Sequence, residues 1–501
     1  MAQIGVIGAG VGGLSAVMRL AHKGHAVDVF EAAQTIGGKM RTLPSAAGPV
    51  DAGPTVLTMK HVFEAAFRAA GESLHDHVTL HQAPILARHF WQDAPVLDFF
   101  PSVEATSDAV GVWGGADARA DFLAFHEDAT RLFDAFDDAM MYSEVPSFAD
   151  VTRITLSDAK LFKLLARGDS MESYLTRRFR EPRLAQLFGR YATYVGGSPG
   201  GVPMVLSLIA KSEANGVWAV EGGMHTLAQA MADVAEAKGA VFHLATPIDQ
   251  IDQDLTLRTQ SGRAVQNQAV LFNGDPAALR KGLLGSAAKR AVSQAATAPR
   301  SLSANVWAFS AAPAGPELAH HNVFFAETPN SEFAAIGKRD IPEDPTLYIC
   351  AQDRGAGTPA GPERFEIIMN AAATDRKTPS EEEARRCAQI CFQRLKHFGL
   401  TFTPEPTENS QTGPVEFARL FPGSDGSLYG RSPSGMMASF QRPTVRSRMK
   451  GLYLCGGGVH PGAGVPMASL SGQHAAAAIL SDLTSTSKSH QTVTHGGMST
   501  A

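Results

Sequence analysis

Cysteine, net charge and long apolar runs are all scarce in this chain, and each shortage excludes something. Its 501 residues include four cysteines, Cys350, Cys387, Cys391 and Cys455. They are too few and too scattered for a disulfide framework or a zinc site. Cys387 and Cys391 are four apart in the helical stretch 381–398 and read as ordinary helix residues. So little cysteine fits a reducing compartment. The formal net charge is −5, which offers no basic footprint for nucleic acid, and that partner class is excluded. No stretch approaches the ~20 apolar residues of a membrane span. The N-terminus enters a strand directly, without a basic region and apolar stretch, so no secretory signal is expected.

What is present is a large interior. Hydrophobic residues make up 44% and charged residues 19% of a length too great for one ordinary core, which implies two or three structural units. Glycine, at 48 residues, points to many tight turns and close backbone approaches.

The first forty residues carry the strongest pattern. Gln3–Ile7 reads as a short buried parallel strand. Gly8-Ala9-Gly10-Val11-Gly12-Gly13 follows, then a helix over 14–23 with apolar spacing at Leu14, Val17, Met18 and Ala21. Gly24 closes it, and Ala26–Phe30 makes a second strand that ends at Glu31. Gly8 allows the tight turn, Gly10 lets backbone amides approach a pyrophosphate, and Gly13 lets the helix pack on the strand. Val11 and Gly12 lie at the helix N-terminus, where unpaired N–H groups and the dipole favour an anion. Glu31 is placed to accept hydrogen bonds from ribose hydroxyls. Glycine-rich turns are common, but here strand, turn, helix, second strand and acid fall in order. They mark a dinucleotide site and leave NAD and FAD open.

Ile36-Gly37-Gly38-Lys39-Met40-Arg41 adds a second glycine pair followed by two cations. It suits another close approach to the cofactor phosphates, with Lys39 and Arg41 balancing charge. A nicotinamide dehydrogenase has no common need for it, and the bland alternative is a surface turn with solvated cations. At the other end of the chain, residues 451–455 read as a strand and Gly456-Gly457-Gly458 as a turn. His460-Pro461-Gly462-Ala463-Gly464-Val465-Pro466 leads into an Ala-rich helix over 467–483. This repeats the physics of the first motif, with backbone amides and a helix N-terminus facing something electron-rich. With the ADP at the front, the flavin ring is expected here, near Gly457, Gly464, Val465 and Pro466. His460, beside a proline in a tight turn, is a weak catalytic candidate that reads more readily as a loop-orienting residue. Cys455 reads as a small core residue, not a covalent flavin attachment point.

Between these ends the character of the chain alternates. The reading is a discontinuous layout: 1–98, 218–299 and 415–483 as three segments of an FAD-binding domain, 99–217 as a Phe- and Met-rich helical insertion, 300–414 as a substrate-domain sheet, and 484–501 as a disordered Ser/Thr/His-rich tail.

With these residues assembled, the chain resembles the carotenoid desaturase family of the bacterial phytoene-desaturase type. The likeness is carried by residues 6–14, by Glu31 with Gly37-Gly38, by Asp51-Ala52-Gly53-Pro54-Thr55, by Glu221-Gly222-Gly223-Met224 and above all by the loop at 460–466. It spans residues 3–483. The first element is shared by many flavoproteins, whereas the Asp51 segment and the 460–466 loop together are much more specific. Within the family the chain looks most like the 1-hydroxycarotenoid 3,4-desaturases of purple phototrophic bacteria, also called methoxyneurosporene dehydrogenases. Two positions depart from the pattern: Lys39 stands where the family often has Arg, and Val459 where Thr commonly precedes the His.

The resemblance implies an α/β fold of the amine-oxidase and phytoene-desaturase type. A Rossmann-like FAD-binding domain would carry an inserted mixed α+β substrate domain and a helical membrane-facing part. It implies non-covalent FAD, with Ile248 joining the cofactor-binding set, and no metal. The implied reaction removes two hydrogens from adjacent carbons of a linear carotenoid, as a hydride to FAD and a proton. A substrate that is nearly all hydrocarbon implies an apolar tunnel and peripheral docking to the inner or photosynthetic membrane from the cytoplasm. Candidate docking segments are residues 161–167 and 203–211. The electron acceptor, oxygen or a quinone, is left open. Other outcomes within reach of the same motifs are a phytoene desaturase or carotenoid isomerase, a flavin amine oxidase or protoporphyrinogen oxidase, and a lipid-binding escort protein without catalysis.

Overall fold

The computed structural model describes residues 1–491 apart from positions 358, 360 and 379. Its organising element is β1 (Gln3–Ile7), buried at four of five positions, as a strand covered on both faces must be. β1 lies at the centre of a five-stranded parallel sheet in the order Leu452–Leu454, Ala269–Phe272, β1, β2 (Ala26–Phe30) and Val241–His243. Three stretches of chain far apart in sequence therefore build one sheet. α1 (Val11–His22) covers it and crosses the C-terminal helix, Val465–Gln491. At the crossing a Cβ on Gly472 would lie 1.9 Å from the Gly12 carbonyl oxygen, so only glycine permits this distance.

A second, mixed sheet has eight strands. Seven run in the order Thr401–Thr403, Ser303–Ala314, Glu363–Ala371, Leu347–Ala351, His321–Phe324, Ala87–Trp91 and Ala94–Phe99, and Gln411–Thr412 pairs with Ser303–Ala314 off this path. Trp307, Phe365, Ile349 and Cys391 fill its core with the helix Glu381–His397. The strands Ala87–Trp91 and Ala94–Phe99 belong here, which corrects the expected first boundary at residue 98. They form an antiparallel hairpin locked by Arg88, whose Nε and Nη2 each reach the Asp98 carboxylate at 2.8 Å. A hairpin cannot place both its strands in an all-parallel sheet. The change of composition near residue 99 marks where helices start, not where the domain changes.

The helical insertion opens with Val103–Phe136, kinked at Gly115, where φ is 86° and ψ 179°. Residues 171–188 form two helices, Met171–Arg178 and Pro182–Gly189, and not a continuous one. Pro182 has no N–H to carry the ladder onward, and the Glu181 side chain caps the new start by accepting from the Arg183 N–H. Phe125, Phe179 and Phe188 pack between these helices with ring centroids 4.1–5.3 Å apart. At the far end the C-terminal helix continues past residue 483 to Gln491. The rest of the expected tail, 492–501, lies outside the described residues.

Gly472→Ala is expected to destabilise the protein by about 1–3 kcal/mol, because the added methyl must push two helices apart. Gly337→Ala, at the end of Ser331–Gly337 with nothing within 4 Å, should be neutral or slightly stabilising. Thermal unfolding of the two variants checks the contrast.

Candidate active site

The dinucleotide turn is built by a small number of unusual approaches. Gly8 has φ +97°, a conformation that side chains rarely adopt. A Cβ on Gly13 would lie 2.5 Å from the Gly8 carbonyl oxygen, so α1 starts hard against the end of β1. Gly10 caps α1 with extended backbone and forms a bridge to Gly37, whose N–H donates to the Ala9 carbonyl at 2.9 Å. The two glycine pairs are thus brought together. Val11 and Gly12 occupy the first turn of α1, and Gly38 lies over Gly10.

Asn273 ties this turn down, a role that the sequence reading did not assign. Its Nδ2 donates to the carbonyls of Gly8 and Gly10, both at 3.1 Å, and its Oδ1 accepts from Cys455 Sγ at 3.4 Å. The available signal was positional: Asn273 follows the strand Ala269–Phe272 just as Gly8 follows β1, at the same edge of the sheet.

Glu31 accepts from the Ala9 N–H at 2.7 Å and the Ala33 N–H at 2.9 Å, so its carboxylate supports the turn itself. Ile248 begins a small antiparallel sheet beside this tip, where the Thr246 N–H donates to the Glu31 carbonyl at 2.8 Å. Lys39 and Arg41, expected to balance phosphate charge, are engaged elsewhere. Lys39 is half-buried, with Nζ donating to the Leu428 carbonyl and lying 5.3 Å from the Phe421 ring centre. Burial lowers its pKa to about 8. Arg41 Nη2 donates to Thr412 Oγ1 at 2.6 Å. Both cations tie the first segment to residues 412–428 instead, because the glycine pair turns their side chains into the interior.

The second glycine loop is clamped by Arg442. Its Nη1 donates to the Gly457 carbonyl at 2.9 Å, and its Nη2 to the carbonyls of Tyr429 and Arg431 at 3.0 and 2.9 Å. Burial lowers its pKa to about 10. The neighbouring carboxylate, Asp275, is paired with Arg300. Lys39 and Arg442 are bonded to carbonyls only, so among the described residues they leave a positive potential beside the loop. That potential suits an electron-rich ring edge, and the glycine-lined turn suits a pyrophosphate; the residues fit a flavin dinucleotide. Gly464 has φ +106°, and Val465 and Pro466 start the C-terminal helix behind it.

His460 is a strut. It is buried, its Nε2 meets the Ser143 carbonyl at 2.9 Å, and its N–H donates to the Pro443 carbonyl at 2.8 Å. Burial lowers its pKa to about 4, so it is neutral near pH 7. Cys455 is wholly buried, its thiol pushed up by burial.

A cavity of about 700 Å³ runs past this loop. Residues 461–467 form one wall, the sheet supplies Tyr348 and Ile368, and the helical insertion supplies Phe136, Met140 and Leu206. Three charged side chains line it among the described residues: Arg190, Glu332 and Arg442. Burial raises the Glu332 carboxyl to about 7. Two glycine turns at opposite ends of the chain, brought to one sheet edge, the second of them leading into a loop that walls an apolar cavity, define a flavoprotein oxidoreductase. The chain belongs to the flavin-containing amine oxidoreductase family, whose sequence pattern matches residues 11–480.

It is 49% identical to the hydroxyneurosporene desaturase of Cereibacter sphaeroides, over 97% of this chain and 99% of that protein. To the hydroxyneurosporene desaturase of Rubrivivax gelatinosus it is 41% identical, over 99% and 97% of the two chains. Among solved structures it is similar to cyclohexylamine oxidase from Brevibacterium oxydans, with a TM-score of 0.56 at 16% identity, covering 96% of this chain and 99% of that one. A fatty acid isomerase from P. acnes gives a TM-score of 0.58 at 11% identity, covering 96% and 98%. At such identities these two likenesses concern the fold alone.

Asn273→Leu removes both side-chain N–H donors and is expected to weaken flavin binding about tenfold or more, each lost bond to a backbone carbonyl being worth about 1 kcal/mol. The flavin-to-protein ratio after gel filtration, at unchanged circular dichroism, checks it. His460→Gln should lower the melting temperature while leaving turnover within a few fold. A kcat loss of about 10²–10⁴ at unchanged stability would instead make His460 an acid–base residue.

Proposed function

We propose that the protein is an FAD-dependent carotenoid desaturase that introduces the 3,4 double bond of a linear 1-hydroxylated or methoxylated carotenoid. The observation that carries this reading is the cavity: a mainly apolar space of about 700 Å³ walled by residues 461–467, suited to a polyene chain and poorly suited to a charged amine. The names of relatives 41–49% identical along nearly the whole chain support it.

Bound FAD supplies the two-electron acceptor. The chain's own part begins with holding it: the amides of residues 8–13 and the N-terminus of α1 for the pyrophosphate, Glu31 for the ribose, and the loop around Gly457, Gly464, Val465 and Pro466 for the ring. Lys39 and Arg442 favour negative charge beside that loop. The apolar wall excludes water and orients the polyene. Loss of hydride next to a conjugated chain leaves a delocalised, strongly acidic cation, so no strong base is required of the protein. An acceptor of the quinone or oxygen class closes the cycle.

The same reading takes the substrate from a membrane. No described helix is long and apolar enough to cross one. Yet Phe148, Leu156, Phe162 and Met436, all lining the cavity, are 57%, 66%, 49% and 55% exposed. They lie on Phe148–Ser157, Ala159–Leu165 and the neighbouring 436–440 segment, with Arg153, Lys160, Lys163 and Arg167 alongside. Apolar side chains at a cavity mouth, flanked by cations, suit an anionic bilayer surface on the cytoplasmic side. Of the two expected docking segments this favours 161–167, whereas much of 203–211 is buried.

Anaerobic mixing of the FAD-loaded protein with a 1-hydroxylated carotenoid should bleach the flavin and give a product two mass units lighter. An unchanged mass with altered geometry would identify an isomerase, and bleaching by amines alone would identify an amine oxidase. Lys163→Glu, at an exposed cation beside the mouth that does not line the cavity, should reduce sedimentation with anionic liposomes and turnover of liposome-borne substrate several fold. Turnover of detergent-delivered substrate should be unaffected.

A further inference from the structure

The cavity's charged lining contains a group that a hydrocarbon does not need. Arg190 and Glu213 are both buried, one on the turn Arg190–Val195 and the other on the helix Ile209–Ala214. Arg190 Nη1 donates to the Tyr194 hydroxyl at 2.5 Å and Nη2 to Glu213 Oε1 at 3.4 Å. The Tyr191 and Tyr194 hydroxyls donate to Glu213 Oε1 and Oε2 at 2.6 and 2.9 Å. Arg190 Nε has no hydrogen-bond partner among the described residues. Arg190, Thr193 and Tyr194 line the cavity, and the Tyr194 oxygen keeps one lone pair uncommitted.

A buried ion pair is expensive to desolvate, and packed apolar side chains in its place are often as stable or more so. Holding one against the wall of an apolar tunnel is most simply explained by a polar atom on the ligand. Position matters equally. Gly196, at the end of the same turn, sits so close to Tyr429 that a Cβ would lie 2.5 Å from its ring. The Tyr429 carbonyl is held by Arg442, which also holds Gly457 of the ring loop. Three contacts, Gly196–Tyr429, Tyr429–Arg442 and Arg442–Gly457, thus link the group to the place proposed for the flavin ring. In a 1-hydroxylated chain the carbon bearing the hydroxyl is two bonds from carbon 3, so whatever binds that hydroxyl must be near the ring.

We propose that Arg190 and Tyr194, held by Glu213, form the subsite for the carotenoid's terminal hydroxyl. The alcohol donates its proton to the Tyr194 oxygen, and Arg190 and Glu213 act by fixing that hydroxyl, which lines the cavity. Two other polar groups of the wall are less suited. The Tyr348 hydroxyl is already shared between His321 Nδ1 at 2.7 Å and Thr55 Oγ1 at 2.9 Å. Glu332, on the helix Ser331–Gly337, is already engaged, accepting from the Thr346 N–H at 3.3 Å. This inference rests on the desaturase reading above and adds the feature that selects among carotenoids.

The test uses the FAD-loaded enzyme and two measurements: half-saturation of anaerobic flavin bleaching by a 1-hydroxylated carotenoid, and the inhibition constant of the same carotenoid lacking the hydroxyl. Wild-type enzyme should favour the hydroxylated chain by roughly tenfold or more, as a site built to hydrogen-bond a hydroxyl does. Tyr194→Phe should erase most of that preference while leaving the inhibition constant unchanged, and Glu332→Gln should preserve it. If both constants rise together in Tyr194→Phe, the group is only a structural staple and the proposal falls. It also falls if neither constant moves, or if Glu332→Gln is the variant that loses the preference. Wild-type flavin that no carotenoid bleaches would remove the desaturase reading itself, and this subsite with it.

Discussion

Everything in this protein hangs on one close junction, where the carbonyl and amide groups of residues 8–13 meet Asn273, Gly456 and Gly472. A Cβ on Gly12 would lie 2.8–2.9 Å from Asn273 Oδ1, the Ala468 carbonyl oxygen and the Gly456 N, all at once. Interiors packed to this density do not deform gradually. The front turn, the strand Ala269–Phe272 and the C-terminal helix must therefore be assembled together or not at all. This is why a cofactor site read from the first forty residues is completed by residues hundreds of positions later.

The second feature is charge placed where charge is costly. Arg442 and Arg190 are buried at the wall of one cavity, and Arg442, like the half-buried Lys39, answers to backbone carbonyls and not to a carboxylate of its own. A low-dielectric surrounding makes each worth far more to an anion or a polar ligand than it would be at the surface. The apolar wall and the buried cations thus work together: the wall admits the polyene and excludes water, and the exclusion of water strengthens the cations.

Much of the nucleotide-binding sheet was legible. Gln3–Ile7 and Ala26–Phe30 stand at the residues where the apolar pattern and the flanking glycine turns put them. The misjudged pieces have identifiable causes. The hairpin Ala87–Phe99 was assigned to the wrong sheet, since its partner, His321–Phe324, is distant in sequence and no local signal names it. A cation after a glycine pair looks the same in sequence whether its side chain faces solvent, ligand or interior, so the bonds of Lys39 to Leu428 and of Arg41 to Thr412 were not legible. Arg190, Glu213 and Arg442 carried no signal at all, being ordinary charged residues until the fold buries them.

By itself, then, the sequence determined the kind of local structure: which runs are strands, which turns require glycine, and where a helix N-terminus faces an anion. These depend on the intrinsic conformational limits of each residue and its near neighbours. Only the tertiary structure decided which groups meet. Asn273 over the first glycine turn, Arg442 on the second and Arg190 against Glu213 beside the cavity are encounters between separate elements, made at packing distances that no local pattern encodes.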